Sequence, residues 1–323
     1  MAKKTRKVDS KEVGLEIGFS LFRYFLNTEY LHYGYFCDGL AAEPQNLAAA
    51  QTRYAEFLKS NIPAGAQKIL DVGCGTGRFA FELTNTGYEV DCVSPGAILT
   101  NHARKLLGER SHIYNCKFED VATDKKYDMI LFSESFQYID PNRAFTNALK
   151  LLNPGGHIMI CDFFKTDPDN KSKLGGGHDF QQYVEAVKKY PVTLIREQDI
   201  SKETAGTIDL ANKFTMDVLL PTYNLVFLLL EDRFPWMTKF IKWKYQKKLG
   251  KIERKNFSGE RTGENFIRYK KYMFYLYKMA DVSSVHDEEF SGTNRNLAEK
   301  RSIDLSSLMV QILCAGFSTF VVC

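Results

Sequence analysis

The 323-residue chain lacks the features that mark several classes of protein. Its seven cysteines are an odd number at scattered positions, with no C-x-x-C pair and no zinc-site spacing. This predicts free thiols, no metal site and a reducing compartment, the cytoplasm. The formal net charge is only +4, and the absence of a strong basic excess argues against a nucleic-acid partner.

Long uninterrupted apolar segments are also scarce. The basic start, Met-Ala-Lys-Lys-Thr-Arg-Lys, is followed by Val-Asp-Ser-Lys-Glu and not by an apolar segment, so no secretory signal is expected. Residues 308–317 are apolar but interrupted, whereas a membrane-spanning helix needs about 20 apolar residues. We therefore expect no integral membrane segment, and a docking helix or strand of unassigned role at the chain end.

The most informative feature that is present is an apolar run ending in alternating glycines. Residues 69–79 read Ile-Leu-Asp-Val-Gly-Cys-Gly-Thr-Gly-Arg-Phe. Glycines after a strand let the backbone approach a nucleotide-like ligand, because they have no Cβ and accept positive φ. A dinucleotide fingerprint needs G-x-G-x-x-G, but here the third glycine comes one residue early and Arg78 stands at the dinucleotide position. An NAD site is therefore disfavoured.

The D-x-G-x-G-x-G pattern resembles motif I of the class I S-adenosylmethionine (SAM)-dependent methyltransferases. The resemblance covers about residues 28–280 and is strongest over 68–164. It implies SAM as cofactor and in-line methyl transfer to O, N or C of a small-molecule substrate. A carboxylate at the strand end would meet the SAM ammonium directly or through water. The loop residues expected to bind the cofactor are Asp71, Gly73, Cys74, Gly75 and Gly77.

Short apolar runs alternate with amphipathic stretches from residue 68 onward, which predicts an α/β fold with a doubly wound sheet. The resemblance implies a Rossmann-like sheet of seven strands, mostly parallel with an antiparallel last strand. Expected strands are 68–72, 88–93, 112–116, 127–132, 156–163, 192–199 and 265–278. Expected helices are 11–27, 43–60, 77–86, 97–108, 141–151 and 178–190, the fifth of them with Asp140 as N-cap and Pro141 at its first position.

The same pattern divides the chain into five segments. They are N-terminal helices with a lid segment (1–67), a SAM-binding core (68–200), a helical substrate cap (201–264), the last core strand (265–280) and a tail (281–323). Pro221 and Pro235 are expected to divide the cap into short helices.

The cap combines apolar and basic residues. Its apolar faces, within 216–230 and 236–241, suggest an acceptor with a hydrophobic portion. Lysines surround the second face, which leaves two interpretations open. The stretch 236–255 is either a lid helix with solvated lysines or a peripheral helix that lies on an anionic membrane and delivers lipid-like substrates.

Two cofactor positions depart from the pattern of the resembling family. The run Val-Asp-Cys-Val-Ser-Pro puts Ser94 where the family usually has an acid for the ribose hydroxyls, as in the cyclopropane-synthase-like subset. A serine there either bonds one hydroxyl or caps the next helix. Lys117 stands where the family often has an acid that binds the adenine amino group. The candidates for adenine contact are therefore its neighbours Phe118, Glu119 and Asp120, which otherwise form a charged surface loop.

Polar residues also follow the fourth predicted strand, in the run Ser-Glu-Ser-Phe-Gln-Tyr. Because the carboxyl ends of strands form the ligand crevice of an open α/β sheet, Ser133 is expected at the cofactor, and Glu134, Gln137 and Tyr138 at the acceptor. Glu134 is the candidate base for an alcohol, phenol or acidic carbon, or it caps the next turn. His178, which opens a helix after three glycines, is a second candidate base or a solvated cap.

Upstream of the glycine loop, residues 30–36 read Tyr-Leu-His-Tyr-Gly-Tyr-Phe. This segment resembles the H-Y-G-Y lid of small-molecule methyltransferases of the tocopherol and cyclopropane-synthase-like kinds. The resemblance implies that it folds over SAM and that the hydroxyl of Tyr33 or Tyr35 contacts the cofactor carboxylate. The alternative is that these aromatic residues pack against an N-terminal helix.

Three functions therefore stay open. A SAM-dependent methyltransferase of small molecules is favoured. Ser94 and Lys117 at usually acidic positions motivate a second, a non-catalytic SAM-binding or partner-binding module. The third is an NAD-linked enzyme. Methylation of protein or nucleic acid is disfavoured, because the sequence has neither an N-P-P-Y-type segment nor a basic groove.

Overall fold

A computed structural model describes residues 10–167, 172 and 174–280; the expected docking element in the tail lies outside these residues. The described residues include seven strands: β1 (Lys68–Val72), β2 (Glu89–Val93), β3 (Ile113–Tyr114), β4 (Tyr127–Ser133), β5 (Leu152–Lys165), β6 (Val192–Asp199) and β7 (Lys270–Met279). They form one sheet in the order β3-β2-β1-β4-β5-β7-β6. β7 is antiparallel to both of its neighbours, and β1 to β5 pair in parallel. The predicted fold is confirmed.

Ten α-helices surround the sheet in the described part of the chain. They are α1 (Ser10–Phe25), α2 (Leu47–Ser60), α3 (Arg78–Asn85), α4 (Ala97–Leu107), α5 (Pro141–Leu151), α6 (Phe180–Val187), α7 (Ser201–Phe214), α8 (Leu220–Arg233), α9 (Pro235–Asn256) and α10 (Gly263–Tyr269). Asp140 caps α5 as expected, since its Oδ1 accepts a hydrogen bond of 3.1 Å from the Arg143 N–H.

The core consists of two apolar layers, one on each face of the sheet. Alternate residues of a strand point to opposite faces, so Ile69 and Leu131 belong to one buried cluster and Leu70 and Phe132 to the other. β1 and β4 are buried on both faces, which explains their continuous apolar runs. The strand order reverses between these two parallel strands, since β2 and β3 lie on the far side of β1 and β5 lies beyond β4. The crevice at their carboxyl ends is the ligand position in such sheets.

The predicted last strand was wrong in its first part. Residues Gly263–Tyr269 form α10, and β7 begins only at Lys270. Thr262 caps this helix, because its Oγ1 accepts a 3.2 Å hydrogen bond from the Asn265 N–H, and Phe266 is buried. A short run of aromatic residues fits the period of a helix as well as that of a strand.

The prediction that two prolines divide the cap into short helices was wrong at Pro221 and in the length of the helices, but a break at Pro235 is confirmed. A π-helical turn, Thr215–Leu219, joins α7 to α8, so the helical run continues from Ser201 to Arg233. Pro221 lies in the first turn of α8, where a missing N–H is tolerated. Pro235 does begin a new helix, but that helix has 22 residues.

Candidate active site

Three glycines shape the turn that follows β1. Gly73, Gly75 and Gly77 have φ angles of 83°, 55° and 80°. A Cβ on Gly73 would lie 2.4 Å from the Cβ of Ser135, and one on Gly77 would lie 2.9 Å from the Cβ of Ala103. A Cβ on Gly75 would meet no atom within 4 Å. Two of the glycines are therefore required by packing, whereas Gly75 borders open space.

Asp71 lies near the carboxyl end of β1, between Cys92 of β2 and Leu131 of β4. Only 3% of its surface is exposed, and burial raises the pKa of its carboxyl to about 7. A cation bound beside it would favour the charged form of this group. A buried carboxylate next to an open glycine turn thus suits a ligand that carries an ammonium.

The ribose candidate Ser94 follows β2 directly and is buried. Its N–H donates to the carbonyl oxygen of Tyr114 at 3.0 Å. The N-cap of α4 is Gly96, and no side chain caps this helix. Ser94 therefore does not have the capping role that was the alternative to ribose binding.

The three adenine candidates differ in exposure. Phe118 is buried in the core, where its ring packs edge-on against Phe132 at 5.2 Å between centroids. Glu119 is half-buried and Asp120 is exposed. Phe118 thus contributes to one of the two apolar layers of the core. Glu119 and Asp120 lie nearer the surface and are the candidates for adenine contact.

The segment 30–36 is fastened to three elements through its backbone. The Tyr33 N–H donates to Oε1 of Glu134 at 2.7 Å. The Tyr35 N–H donates to the Ala50 carbonyl on α2, and the Phe36 N–H to the Glu203 carbonyl on α7, each at 2.8 Å. The segment therefore forms a strap that joins α2, α7 and the end of β4.

The two tyrosines of this strap point to different places. The Tyr33 ring is buried and lies 5.6 Å from that of Tyr272, between centroids. The Tyr35 ring stacks on Phe57 of α2 at 5.1 Å. Of the two rings, that of Tyr33 therefore lies near the side chain of Tyr272, which binds Glu134.

Glu134 is the centre of a buried hydrogen-bond network. Besides the Tyr33 N–H, its Oε1 accepts from the Tyr272 hydroxyl at 2.7 Å. The Tyr272 hydroxyl lies 2.9 Å from that of Tyr54, which lies 3.2 Å from Oγ of Ser133. Burial raises the pKa of the Glu134 carboxyl to about 8, against the opposing effect of its two donors. Its φ of +54° is unusual for a residue with a side chain, and such strain concentrates at functional sites.

Gln137 lies beside this network. Its N–H donates to Oδ2 of Asp162 at 2.9 Å, and its side-chain Oε1 is buried with no hydrogen-bond partner among the described residues. Burial raises the pKa of the Asp162 carboxyl to about 7. An unsatisfied buried acceptor is costly, so Oε1 of Gln137 is suited to a donor group on a ligand.

The other two catalytic candidates occupy different surroundings. Tyr138 is 55% exposed. Nε2 of His178 lies 3.0 Å from the Phe136 carbonyl and 2.8 Å from the Ile139 carbonyl. Both partners are acceptors, so Nε2 carries the proton and donates. His178 therefore ties the chain after β5 to the turn after β4.

Several residues around this network are not identifiable from the sequence. Tyr54 and Tyr272 lie 79 and 138 positions from the network residues that they bind, and no motif marks them. Nζ of Lys270 donates to the carbonyls of Gly175, at 2.8 Å, and Gly176, and burial lowers its pKa to about 7. Lys270 thereby holds the glycine loop after β5 against the sheet.

A family model described as "Methyltransferase domain" matches residues 42–209, which is more than half of the chain. The chain belongs to the methyltransferase domain family. The match includes the glycine turn, Glu134 and Asp162, but it leaves the strap, most of the cap and β7 outside.

Curated relatives of this methyltransferase domain match it over limited stretches. Malonyl-[acyl-carrier protein] O-methyltransferase 1 of Ilyobacter polytropus is 33% identical over 36% of this chain and 47% of its own length. An uncharacterized methyltransferase of Mycobacterium bovis is 29% identical over 31% of this chain and 41% of its own length. The chain thus spans about half or less of these relatives.

Solved methyltransferase-like structures share the fold at low identity. Geranyl diphosphate C-methyltransferase from Streptomyces coelicolor, solved with S-adenosyl-L-homocysteine, has a TM-score of 0.54 and 14% identity over 84% of this chain and 98% of its own. The [4+2]-cyclase SpnF has a TM-score of 0.57 and 16% identity over 84% and 93%. Since one of these is named a cyclase, the fold alone does not decide the reaction.

Proposed function

We propose that this chain is a SAM-dependent methyltransferase that acts on a small molecule in the cytoplasm. The observation that carries the proposal is the buried carboxyl of Asp71 near the end of β1, followed in the chain by Gly75, where a Cβ would meet no protein atom. SAM has an ammonium but no phosphate, and a carboxylate is the natural partner of an ammonium. Membership of the methyltransferase domain family supports the same conclusion.

The residues at and after the glycine turn match the functional groups of SAM. Asp71 would hold the ammonium, and Gly75 would let the backbone approach the ligand. Ser94 would bond a ribose hydroxyl, and Glu119 or Asp120 the adenine amino group. When bound, SAM supplies a methyl group that its sulfonium has already activated. The protein then has to align that methyl with the acceptor atom.

We propose that the strap 30–36 is the lid over the cofactor. Its fastening to Glu134 places it at the carboxyl ends of the strands, where it would exclude water from the transfer. Tyr33 is the better candidate for a polar contact to SAM, because Tyr35 stacks on Phe57.

Glu134 is the proposed proton acceptor. Both of its hydrogen bonds fall on Oε1, which leaves Oε2 to take a proton from an alcohol, phenol or acidic carbon. A pKa of about 8 lies in the range that suits a general base near neutral pH. The buried rings of Tyr33, Phe163 and Phe266, whose centroids lie 6.0 to 6.1 Å apart, would give an acceptor with a hydrophobic portion apolar surroundings.

A mass-spectrometric search tests this function. Metabolite extract would be incubated with the full chain and methyl-labelled SAM, with heat-inactivated protein as the control. We expect at least one small molecule to gain the label while S-adenosylhomocysteine accumulates. SAM binding without transfer to any metabolite would indicate a non-catalytic SAM-binding module, and binding of a nicotinamide cofactor without SAM binding would indicate an oxidoreductase.

A further inference from the structure

Helices α8 and α9 form a hairpin at one side of the molecule. The ring of Tyr223 on α8 lies 5.3 Å from that of Phe257, just after α9. Oγ1 of Thr238 donates to the Leu230 carbonyl at 2.8 Å, which closes the other end. None of the residues of α8 is buried, so this helix packs on α9 without becoming part of the core.

This hairpin exposes large apolar side chains. Trp236 and Trp243 are 77% and 74% exposed, and Phe240 is 50% exposed. They recur at i, i+4 and i+7 and therefore share one face of α9. On α8, Leu225 and Leu228 are 65% and 62% exposed. Clustered exposed apolar side chains of this size mark an interaction surface.

The charge of the hairpin restricts what binds there. Lys247, Lys251 and Arg254 continue the face of the two tryptophans, and α9 as a whole has eight Lys or Arg residues and one Glu. The acidic residues of the hairpin are engaged: Glu231 pairs with Lys242, Asp232 lies 3.8 Å from Arg233, and Glu253 accepts from Tyr223 at 3.2 Å. The unbalanced charge of the exposed face is positive.

A spanning arrangement does not fit the packing of the preceding helix. The run Ser201–Arg233 is long and apolar enough, by length and composition, to cross a membrane. Its first half is fixed in the protein, however, since Thr204 and Ile208 of α7 are buried. After Thr215, the last buried residue of this run, residues 216–233 extend about 27 Å, which is less than the ~30 Å of a bilayer core, and they include Asp217, Glu231, Asp232 and Arg233.

We propose that the α8–α9 hairpin binds the surface of an anionic lipid bilayer. Trp236, Phe240 and Trp243 enter the boundary between headgroups and acyl chains, where amphipathic aromatic rings are favoured. The basic residues further along α9 contact the anionic headgroups. An acidic protein would satisfy the lysines, but it offers less to two tryptophans that are three-quarters exposed.

Tryptophan fluorescence tests this binding directly, because Trp236 and Trp243 are the only two tryptophans of the chain. The full chain would be titrated with phosphatidylcholine vesicles, with and without about 30 mol% phosphatidylglycerol. With the anionic vesicles we expect co-sedimentation, a shift of emission to shorter wavelength and quenching by brominated acyl chains. High salt should weaken the binding, because it screens the lysines.

Paired variants separate the two contributions. One double variant removes the aromatic contribution, Trp236→Ser with Trp243→Ser, and its binding is measured by co-sedimentation. A second removes the basic contribution, Lys247→Glu with Lys251→Glu. Each should weaken vesicle binding about tenfold or more. Arg104→Glu with Lys105→Glu, exposed positions on α4, changes the net charge equally and should leave binding nearly unchanged. All of the substituted side chains are exposed, so melting temperatures should match the wild type.

No cofactor or acceptor is needed for this test, so its result is independent of the proposed methyl transfer. The proposal is overturned if the wild-type chain stays in the supernatant with anionic vesicles. It is equally overturned if the α4 variant loses as much binding as the α9 variants, or if both tryptophans remain unquenched while the protein sediments.

Discussion

The hydroxyl of Tyr272 donates a 2.7 Å hydrogen bond to Oε1 of Glu134. This bond joins β7 to the turn after β4, two elements that are not neighbours in the sheet. It connects the carboxyl that we propose as proton acceptor to a chain of hydroxyls through Tyr54 to Ser133. The protonation of Glu134 therefore depends on a residue two strands away in the sheet.

Replacing Tyr272 by phenylalanine tests this dependence. The hydrogen bond from Tyr272 lowers the pKa of Glu134, so Tyr272→Phe should raise that pKa above about 8. The alkaline rise of the methyl-transfer rate should move to higher pH, and the free energy of unfolding should fall by about 1–2 kcal/mol. Tyr277→Phe removes another buried bond, the 3.0 Å contact with Tyr183. Tyr277→Phe should lower the free energy of unfolding by a similar amount without moving the pH dependence of the methyl-transfer rate. Equal shifts of that pH dependence in the two variants would contradict the role of Tyr272.

The open face of Gly75 predicts a selective loss of cofactor binding. Gly75→Ala adds a methyl group where no protein atom lies within 4 Å, at a φ of +55°. Folding should be destabilised by only ~1 kcal/mol, while SAM affinity should fall at least tenfold. Gly87→Ala is the matched control, because Gly87 also has positive φ and open space but lies outside the site. Unchanged SAM binding in Gly75→Ala would place the ligand elsewhere.

The pKa of Asp71 predicts that SAM binds more tightly as the pH rises. Burial raises this pKa to about 7, and an ammonium ligand binds the carboxylate form. Affinity should therefore increase about tenfold between pH 6 and 8. In the ligand-free protein the sign is opposite: the folded state holds the proton more tightly than the unfolded chain, so stability from this group is lost as the pH rises from about 4 to 7.

Calorimetric titrations across that pH range check the dependence on Asp71. Asp71→Asn removes the titrating group and keeps the shape of the side chain. The variant should bind SAM more weakly and without the pH slope. A slope that persists in Asp71→Asn would assign the titration to another group, such as Asp162 or Glu134.

His178 should prove to be a structural residue. Its Nε2 donates to two carbonyls, so His178→Ala should lower the free energy of unfolding by about 1–3 kcal/mol. His178→Gln keeps an amide donor at a similar reach and should recover part of this loss. The pH dependence of kcat/KM should be unchanged in the Gln variant, whereas disappearance of a titration step would indicate a catalytic histidine.

The sequence was most informative where chemistry and local structure coincide. The run around Asp71 combines a strand pattern with a glycine spacing that few ligands require, and β1 has the predicted bounds, 68–72. The central strands are buried on both faces, so their apolar runs are long and easily recognised.

The network around Glu134 could not be predicted for a physical reason. Tyr272 and Tyr54 reach it across 138 and 79 positions, and contacts at that separation leave no local pattern in the sequence. The boundary between α10 and β7 was missed because aromatic residues near it suit either period. The helix break predicted at Pro221 was wrong because this proline lies at the start of α8, and the sequence alone does not distinguish such a proline from one that breaks a helix.

Isothermal titration of the full chain with SAM and with S-adenosylhomocysteine is the most direct test of the central claim. We predict binding of both at one site per chain, with micromolar dissociation constants, and loss of that binding in Gly75→Ala but not in Gly87→Ala. Folded wild-type protein that binds neither ligand at micromolar concentration would contradict the assignment of the crevice beside Asp71 to SAM.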